Sequence, residues 1–225
     1  MNKNTILNTI KEVRKLSKKR NFSQTFDLII NLKGLDIKKP EHNINTFVIL
    51  PHGKGNRSKI CAFVDDEMFS NATKAVDLAI NQKEFEKYSS NKKSLKKIVK
   101  EYDYFIAQAN LMPEIAKHFG KVLGPQGKMP NPKAGCIFPP GADLKPLNEK
   151  LQKSVQLQTK NESIVKCSVG KEDFKDEQIE ANISTIYNVI THALPHGEGN
   201  VKSVLLKLTM GKAKRVGEDE GKESN

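Results

Sequence analysis

The hydrophobic period changes twice along this 225-residue chain, and those two changes constrain its fold more than any single motif. Up to the turn cluster Pro51-His52-Gly53-Lys54-Gly55-Asn56, the apolar residues after the opening helix form short strand-like runs at 26–32 and 46–50, separated by a loop containing Pro40. Beyond the cluster, strand and helix patterns alternate. A strand at 60–64 precedes a helical stretch at 67–74 and an apolar run at 76–80. A lysine-rich helix at 92–101, a strand at 104–107 and a helix at 112–119 follow. This alternation predicts a small α/β layer on a parallel sheet.

A Gly/Pro-rich tract then covers 120–141, and a helix is expected at 147–155. Strand-like runs return at 155–159, 164–169 and 201–210. Between the last two, Ile179, Ile183, Ile186, Val189 and Ile190 mark one face of a helix stopped by Pro195. The strands before the turn cluster and those after residue 155 are expected to form one sheet. The domains predicted are therefore 1–57 with 155–225, built from both chain ends, and 58–154 inserted between them. Two connections at one place make a natural hinge. The residues after Val216 are charged and apolar-poor, and disorder is expected there.

The first twenty residues carry seven Lys/Arg against Glu12, and Ile6, Leu7, Ile10, Val13 and Leu16 recur at helical spacing. This predicts an amphipathic helix with a basic outer face. It matches the whole chain, where 38 Lys+Arg against 26 Asp+Glu leave a formal charge of +12. Nucleic acid is the partner such a balance favours. Only Arg14, Arg20, Arg57 and Arg215 are arginines, so the surplus is lysine, which suits phosphates better than guanine edges. Cys61, Cys136 and Cys167 are odd in number and far apart, which excludes a disulfide framework or a paired-cysteine zinc site. No apolar run approaches membrane-spanning length, and the opening segment lacks the apolar core of a leader, so a cytoplasmic setting without membrane association is expected.

Catalytic motifs are broken. Gly53-x-Gly55-x-x-Ser58 lacks the third glycine of a dinucleotide loop and precedes a strand instead of following one. Gly127-Lys128 ends like a phosphate loop, but Val122 stands where the first glycine belongs and Met129 where a magnesium-holding hydroxyl belongs. The five histidines show no metal spacing, and Asp65-Asp66-Glu67 reads as charge at a helix N-terminus. The expectation is no enzyme, no cofactor and no metal. What remains suits RNA. Thr209-Met210-Gly211 at a strand end offers a hydroxyl, a flexible thioether and close backbone approach, and Phe22 offers a ring that stacks on RNA or packs into the core.

The tract Leu123-Gly124-Pro125-Gln126-Gly127-Lys128-Met129-Pro130-Asn131-Pro132 resembles the signature of the L-one family of large-subunit ribosomal proteins, those of the mobile stalk. Arg20-Asn21-Phe22-Ser23-Gln24, Val48-Ile49-Leu50-Pro51-His52-Gly53, Phe105-Ile106-Ala107-Gln108-Ala109 and Lys207-Leu208-Thr209-Met210-Gly211 agree in order, so the resemblance spans about 5–212. The Gly-Lys-Met-Pro form is similar to the archaeal branch. Gln126 departs from it where arginine is usual, and Lys212 where proline is common.

The resemblance implies a split α+β domain with an inserted Rossmann-like α/β domain. It implies contacts to large-subunit rRNA from Phe22, Thr25, Asp27, Lys166, Ser203, Thr209, Met210 and Gly211. A secondary RNA surface is expected at Lys11, Lys15, Lys18, Lys19 and Arg20, and in the inserted domain at Lys121 and Lys128, with Lys117 and Lys133 in the same basic stretch. Other implied partners are exit-site tRNA, whose release the stalk assists, further large-subunit components, and the protein's own messenger, which it would repress.

Overall fold

The computed structural model describes residues 1–35, 42–159 and 162–217. The loop around Pro40 and the charged tail from 218 onward lie outside the described residues. By contacts the chain divides into two units, Met1–Asn56 with Lys153–Asn225, and Arg57–Gln152.

The terminal unit opens with helix α1 (Lys3–Leu16), started by the Asn2 side chain, which accepts from the Asn4 N–H at 3.2 Å. Strand β1 (Thr25–Leu32) follows, and its alternation is complete: Phe26, Leu28, Ile30 and Leu32 are buried, while Thr25, Asp27, Ile29 and Asn31 are only partly so. β1 is one of two inner strands of a four-stranded antiparallel sheet. On one side it pairs with β8 (Ile164–Lys171), on the other with β9 (Val201–Leu208), and a two-residue strand β10 (Lys214–Arg215) extends the β9 edge. Helix α7 (Asp176–Ala193) buries Ile179, Ile183, Ile186 and Ile190 in the same core as Ile6, Ile10 and Val13 of α1 and the even residues of β1. Both helices therefore cover one face of the sheet, and the other face stays open.

The single sheet expected for this unit is not what forms. β2 (Asn45–Ile49) and β7 (Ser154–Gln158) pair with each other as a separate ribbon, Val48 opposite Val155. β8 and β9 occupy both edges of β1, and β2 pairs with β7 instead of extending the sheet at the outer edge of β8. The ribbon ends where the Leu50 N–H donates to the Lys153 carbonyl at 2.9 Å. The turn cluster that follows is tied down from within the unit. Gly55 has φ +79°, and a Cβ there would stand 3.1 Å from the Phe174 ring, so this turn requires glycine. Asn182 on α7, fully buried, donates to the carbonyls of Gly53 (2.9 Å) and Val169 (2.7 Å) and accepts from the His52 N–H at 3.2 Å.

The inserted unit has a four-stranded parallel sheet, β4 (Leu78–Asn81), β3 (Ile60–Val64), β5 (Tyr104–Gln108), β6 (Ile137–Phe138), in that order. β3 is buried at all five positions, as a strand covered on both faces must be. Helices α2 (Asp66–Ala75), α3 (Phe85–Ser90), α4 (Lys92–Glu101), α5 (Met112–Leu123) and α6 (Leu144–Gln152) complete it. Phe63 sits at the centre of its core, with ring centroids of Phe119, Phe85 and Phe105 at 4.9, 5.6 and 5.9 Å. Two bounds differ from the sequence expectation. α5 runs into the Gly/Pro tract, because Gly120 lies inside a helix whose Ile115, Phe119 and Leu123 remain on the buried face. α6 begins at Leu144 and stops at Gln152, since Asp143 caps its first turn through the Lys145 N–H (3.0 Å) and Ser154 already pairs with Ile49.

Asn182→Ala would leave two buried carbonyls and one amide without partners. It is expected to destabilise the terminal unit by about 2–4 kcal/mol, measured as a lower urea midpoint with unchanged slope.

Candidate nucleic-acid interface

The open face of the terminal sheet is built from alternate residues of three strands. In register, Asp27 stands between Ser168 and Lys207, Ile29 between Lys166 and Leu205, and Asn31 between Ile164 and Ser203. Burial pushes the Asp27 carboxyl above its ordinary value, and the neighbouring Lys207 ammonium partly offsets this. Asn31 Nδ2 donates to Ser203 Oγ at 2.8 Å, so that bond does not use the Ser203 hydroxyl hydrogen. Lys166 is exposed, with Glu162 Oε2 at 3.9 Å.

At the start of β1 and the end of β9 the polar groups are bonded to one another. The Thr209 N–H and hydroxyl both donate to the Thr25 carbonyl, at 3.0 and 3.1 Å, and the Thr25 N–H donates to Thr209 Oγ1 at 3.3 Å. Buried Gln24 accepts from the Met210 N–H through Oε1 at 3.1 Å, while its own carbonyl accepts from the Glu172 N–H at 2.8 Å. The Gly211 N–H closes a turn onto Leu208 at 2.8 Å, and a Cβ on Gly211 would stand 2.6 Å from Ser17 Oγ. A side chain at 211 would have to turn the Ser17 hydroxyl aside, so glycine gives this tip its close approach to the segment after α1. On this fixed frame two large apolar side chains face water, Phe22 at 54 % and Met210 at 60 % exposure.

The structure thus brings Phe22, Thr25, Thr209, Met210 and Gly211 to one end of the sheet, with Asp27 next along β1. Lys166 and Ser203 lie further along the same open face. The Thr209 hydroxyl hydrogen is already donated to backbone, so it offers RNA only an acceptor. Lys18, Lys19 and Arg20 are exposed in the segment leading to Phe22, whereas Lys11 and Lys15 project from the helix layer on the opposite side of the unit.

Sequence reasoning missed Gln24 and Arg14. Arg14 is committed within the unit: Nε donates to Asp176 (2.9 Å), its other nitrogens to the carbonyls of Glu172 and Phe174 (2.6 Å each), and the guanidinium lies over the Phe26 ring at 5.1 Å. It fixes the turn that holds Glu172 against Gln24. Its helical spacing in α1 gave no sign of this.

In the inserted unit Lys121 is exposed, whereas the Lys128 ammonium is already engaged by backbone. It donates to the carbonyls of Val99 (2.8 Å) and Tyr102 (2.7 Å) at the C-terminal end of α4, where the helix carries partial negative charge. The crevice beyond the carboxyl ends of β3 and β5, where doubly wound sheets take nucleotides, is bridged by side-chain hydrogen bonds. The Asp65 N–H donates to Gln108 Oε1 (2.7 Å), Gln108 Nε2 donates back to Asp65 Oδ2 (2.9 Å), and Asp65 Oδ1 caps α2 through the Met68 N–H (3.0 Å). The carboxylates of Asp65, Asp66 and Glu67 stand where a phosphate would bind. All three cysteines are buried with their thiols held protonated, Cys136 pushed up to about 11 and Cys167 to about 12. Among the described residues no group of His, Cys, Asp and Glu is placed to hold a metal ion, and no helix is long and apolar enough to cross a membrane.

Compared with known proteins, residues 13–212 match the family model described as the Ribosomal protein L1p/L10e family. The chain is 40 % identical over 222 residues to the large ribosomal subunit protein uL1 of Methanocaldococcus jannaschii, covering 99 % of both chains. It is 42 % identical over 211 residues to that of Methanothermococcus thermolithotrophicus, covering 94 % of this chain and 97 % of the relative. With that of Pyrococcus abyssi it shares 40 % over 212 residues, 94 % of each.

Two outcomes follow from this geometry. Because its folded-state carboxyl is raised, Asp27 costs stability when charged. Asp27→Asn is therefore expected to raise the urea midpoint of the free protein at neutral pH, an advantage that fades as pH falls through the carboxylate range. Lys128→Met leaves helix-end carbonyls unpaired and is expected to cost the inserted unit about 1–3 kcal/mol in the same measurement.

Proposed function

Since the chain belongs to the Ribosomal protein L1p/L10e family, whose members are large-subunit proteins and not enzymes, we propose that it grips large-subunit rRNA with the β1/β9 end of its open sheet face. Its setting is the cytoplasm, as part of the ribosome. The supporting observation is the exposure of Phe22 and Met210 on a frame whose own hydrogen bonds are already made. Apolar side chains held in water without a core partner gain by covering ribose or base surface, worth about 1–3 kcal/mol per stacked base. Fixing their backbone beforehand removes ordering cost from the binding step.

The remaining groups fit the same role. Thr25 and Ser203 offer hydroxyls to the 2′-hydroxyls that distinguish RNA from DNA. Gly211 gives close backbone approach. Asp27, half-buried beside Lys207, is placed to accept from a ribose hydroxyl or a base amine and would repel a phosphate. Lys18, Lys19, Arg20 and Lys166 supply charge along the backbone, and Lys11 and Lys15 add longer-range attraction.

On this reading the protein forms the mobile stalk that assists release of deacylated tRNA from the exit site. The passage of the chain twice between its two units supports relative motion as the means. The same RNA-gripping end would also serve to repress the protein's own messenger, if the messenger carries an element that imitates the ribosomal site. Other large-subunit components complete its partners.

The test is the affinity for a stalk rRNA fragment across a salt series. Met210→Ala and Phe22→Ala are expected to weaken binding by about 1–3 kcal/mol with little change in salt slope, whereas Lys18→Ala with Lys19→Ala flattens the slope by about one for each phosphate no longer neutralised. Equal affinity for unrelated RNA would refute the placement.

A further inference from the structure

The signature tract at 123–132 has a structural task that the RNA-gripping end leaves unexplained. Gly127 closes a turn onto Gly124 (2.9 Å), the Lys128 N–H returns to the Leu123 carbonyl (3.1 Å), and the Lys128 ammonium pins the tract to the end of α4. Pinning the tract there places the C-terminal end of α5 beside α4. Between them lies a groove of about 380 Å³, walled by Lys96, Val99, Lys100, Lys121, Val122 and Pro125, with Gln126 at its rim.

Its chemistry is one-sided. Lys96 and Lys100 are four residues apart on α4 and so share one helix face, and Lys121 comes from α5. No carboxylate lines the groove, and among the described residues none lies within ion-pair distance of these three lysines. Glu101, which follows on α4, is held away by Lys59 at 2.7 Å. Three like charges around an apolar floor repel one another unless an anion lies between them.

We propose that this groove is a second RNA site, separate from the β1/β9 end, and that it holds the phosphate backbone of double-helical RNA without reading sequence. The proposal rests on the reading of the protein as an RNA binder. A duplex is favoured over a single strand because the groove has no aromatic side chain on which bases could stack. Successive phosphates of one strand match two lysines one helical turn apart. RNA is favoured over an acidic peptide because the cations are lysines, point charges suited to phosphate, with no arginine fork for carboxylates. In this account Lys128 is a positioning residue that never touches the ligand.

The probe is a 20-base-pair RNA duplex of sequence unrelated to rRNA, titrated against the full chain at several salt concentrations. Lys96→Gln, Lys100→Gln and Lys121→Gln combined are expected to weaken binding about tenfold or more at low salt and to lower the salt slope by about two. Gln126→Arg, which adds a charge at the rim, is expected to tighten binding and raise the slope by up to about one. Lysine acetylation with the duplex bound should protect Lys96, Lys100 and Lys121. Met210→Ala, which changes no charge, should weaken the stalk fragment far more than it weakens this duplex, so failure of either site is read separately. Unchanged duplex affinity in the triple variant, no gain from Gln126→Arg, or displacement of the duplex from these lysines by polyglutamate at lower concentration than by competing RNA duplex would each overturn the assignment.

Discussion

The position of β1 between β8 and β9 is the constraint on which the rest depends. A strand from the first 35 residues pairs on both edges with strands that begin at residues 164 and 201, so the terminal unit cannot close until most of the chain is made. The loop-closure cost of that pairing is offset by a core that gathers both ends, with α1 and α7 on one face of the sheet. Everything between must leave and return at one place, and the β2–β7 ribbon, closed by the Leu50 to Lys153 hydrogen bond, marks it. The same pairing brings Thr25 beside Thr209 and leaves the odd face of β1 open. The end proposed to grip RNA is thus a product of sheet register.

This arrangement gives three tasks to three different sets of residues. Polar groups at the β1/β9 end hold one another: Gln24, Thr25, Thr209 and the Glu172 turn fixed by Arg14. Apolar side chains, Phe22 and Met210, remain as the exposed contact surface. Lysines supply attraction that falls with salt and carries no sequence information. The one arginine at the heart of the unit works on backbone carbonyls and a carboxylate, where its planar fork suits several acceptors at once.

Much of this was legible in the chain itself. The alternation of β1 and the stripe of α7 announced which faces are buried, and the period changes announced an insertion. The turn cluster could be recognised from its glycines, but not that Asn182, 129 residues after Gly53, holds it. Pairing partners were the weak point: a pattern of alternate burial says that a strand has a buried face, not which edge it takes, so the β2–β7 ribbon was missed. Side-chain duty was equally hidden. Lys128 and Lys121 are alike in a basic tract, yet one caps a helix end and the other faces solvent, because only the fold decides which lysine meets α4. Thr209 looked like a free hydroxyl and proved to be half committed to backbone. Family resemblance supplied the residues proposed to contact RNA, whereas Gln24 and Arg14, which hold the frame at the β1/β9 end, needed the packed structure.

The central claim is that the RNA-gripping end is locked before RNA arrives. Hydrogen exchange of the free protein, resolved at single amides, tests it most directly. The amides of Thr209, Met210 and Gly211 should exchange slowly, comparable to those of β9, and should change little when the stalk rRNA fragment binds. Rapid exchange at these three in the free protein, with protection appearing only on the RNA, would contradict the account.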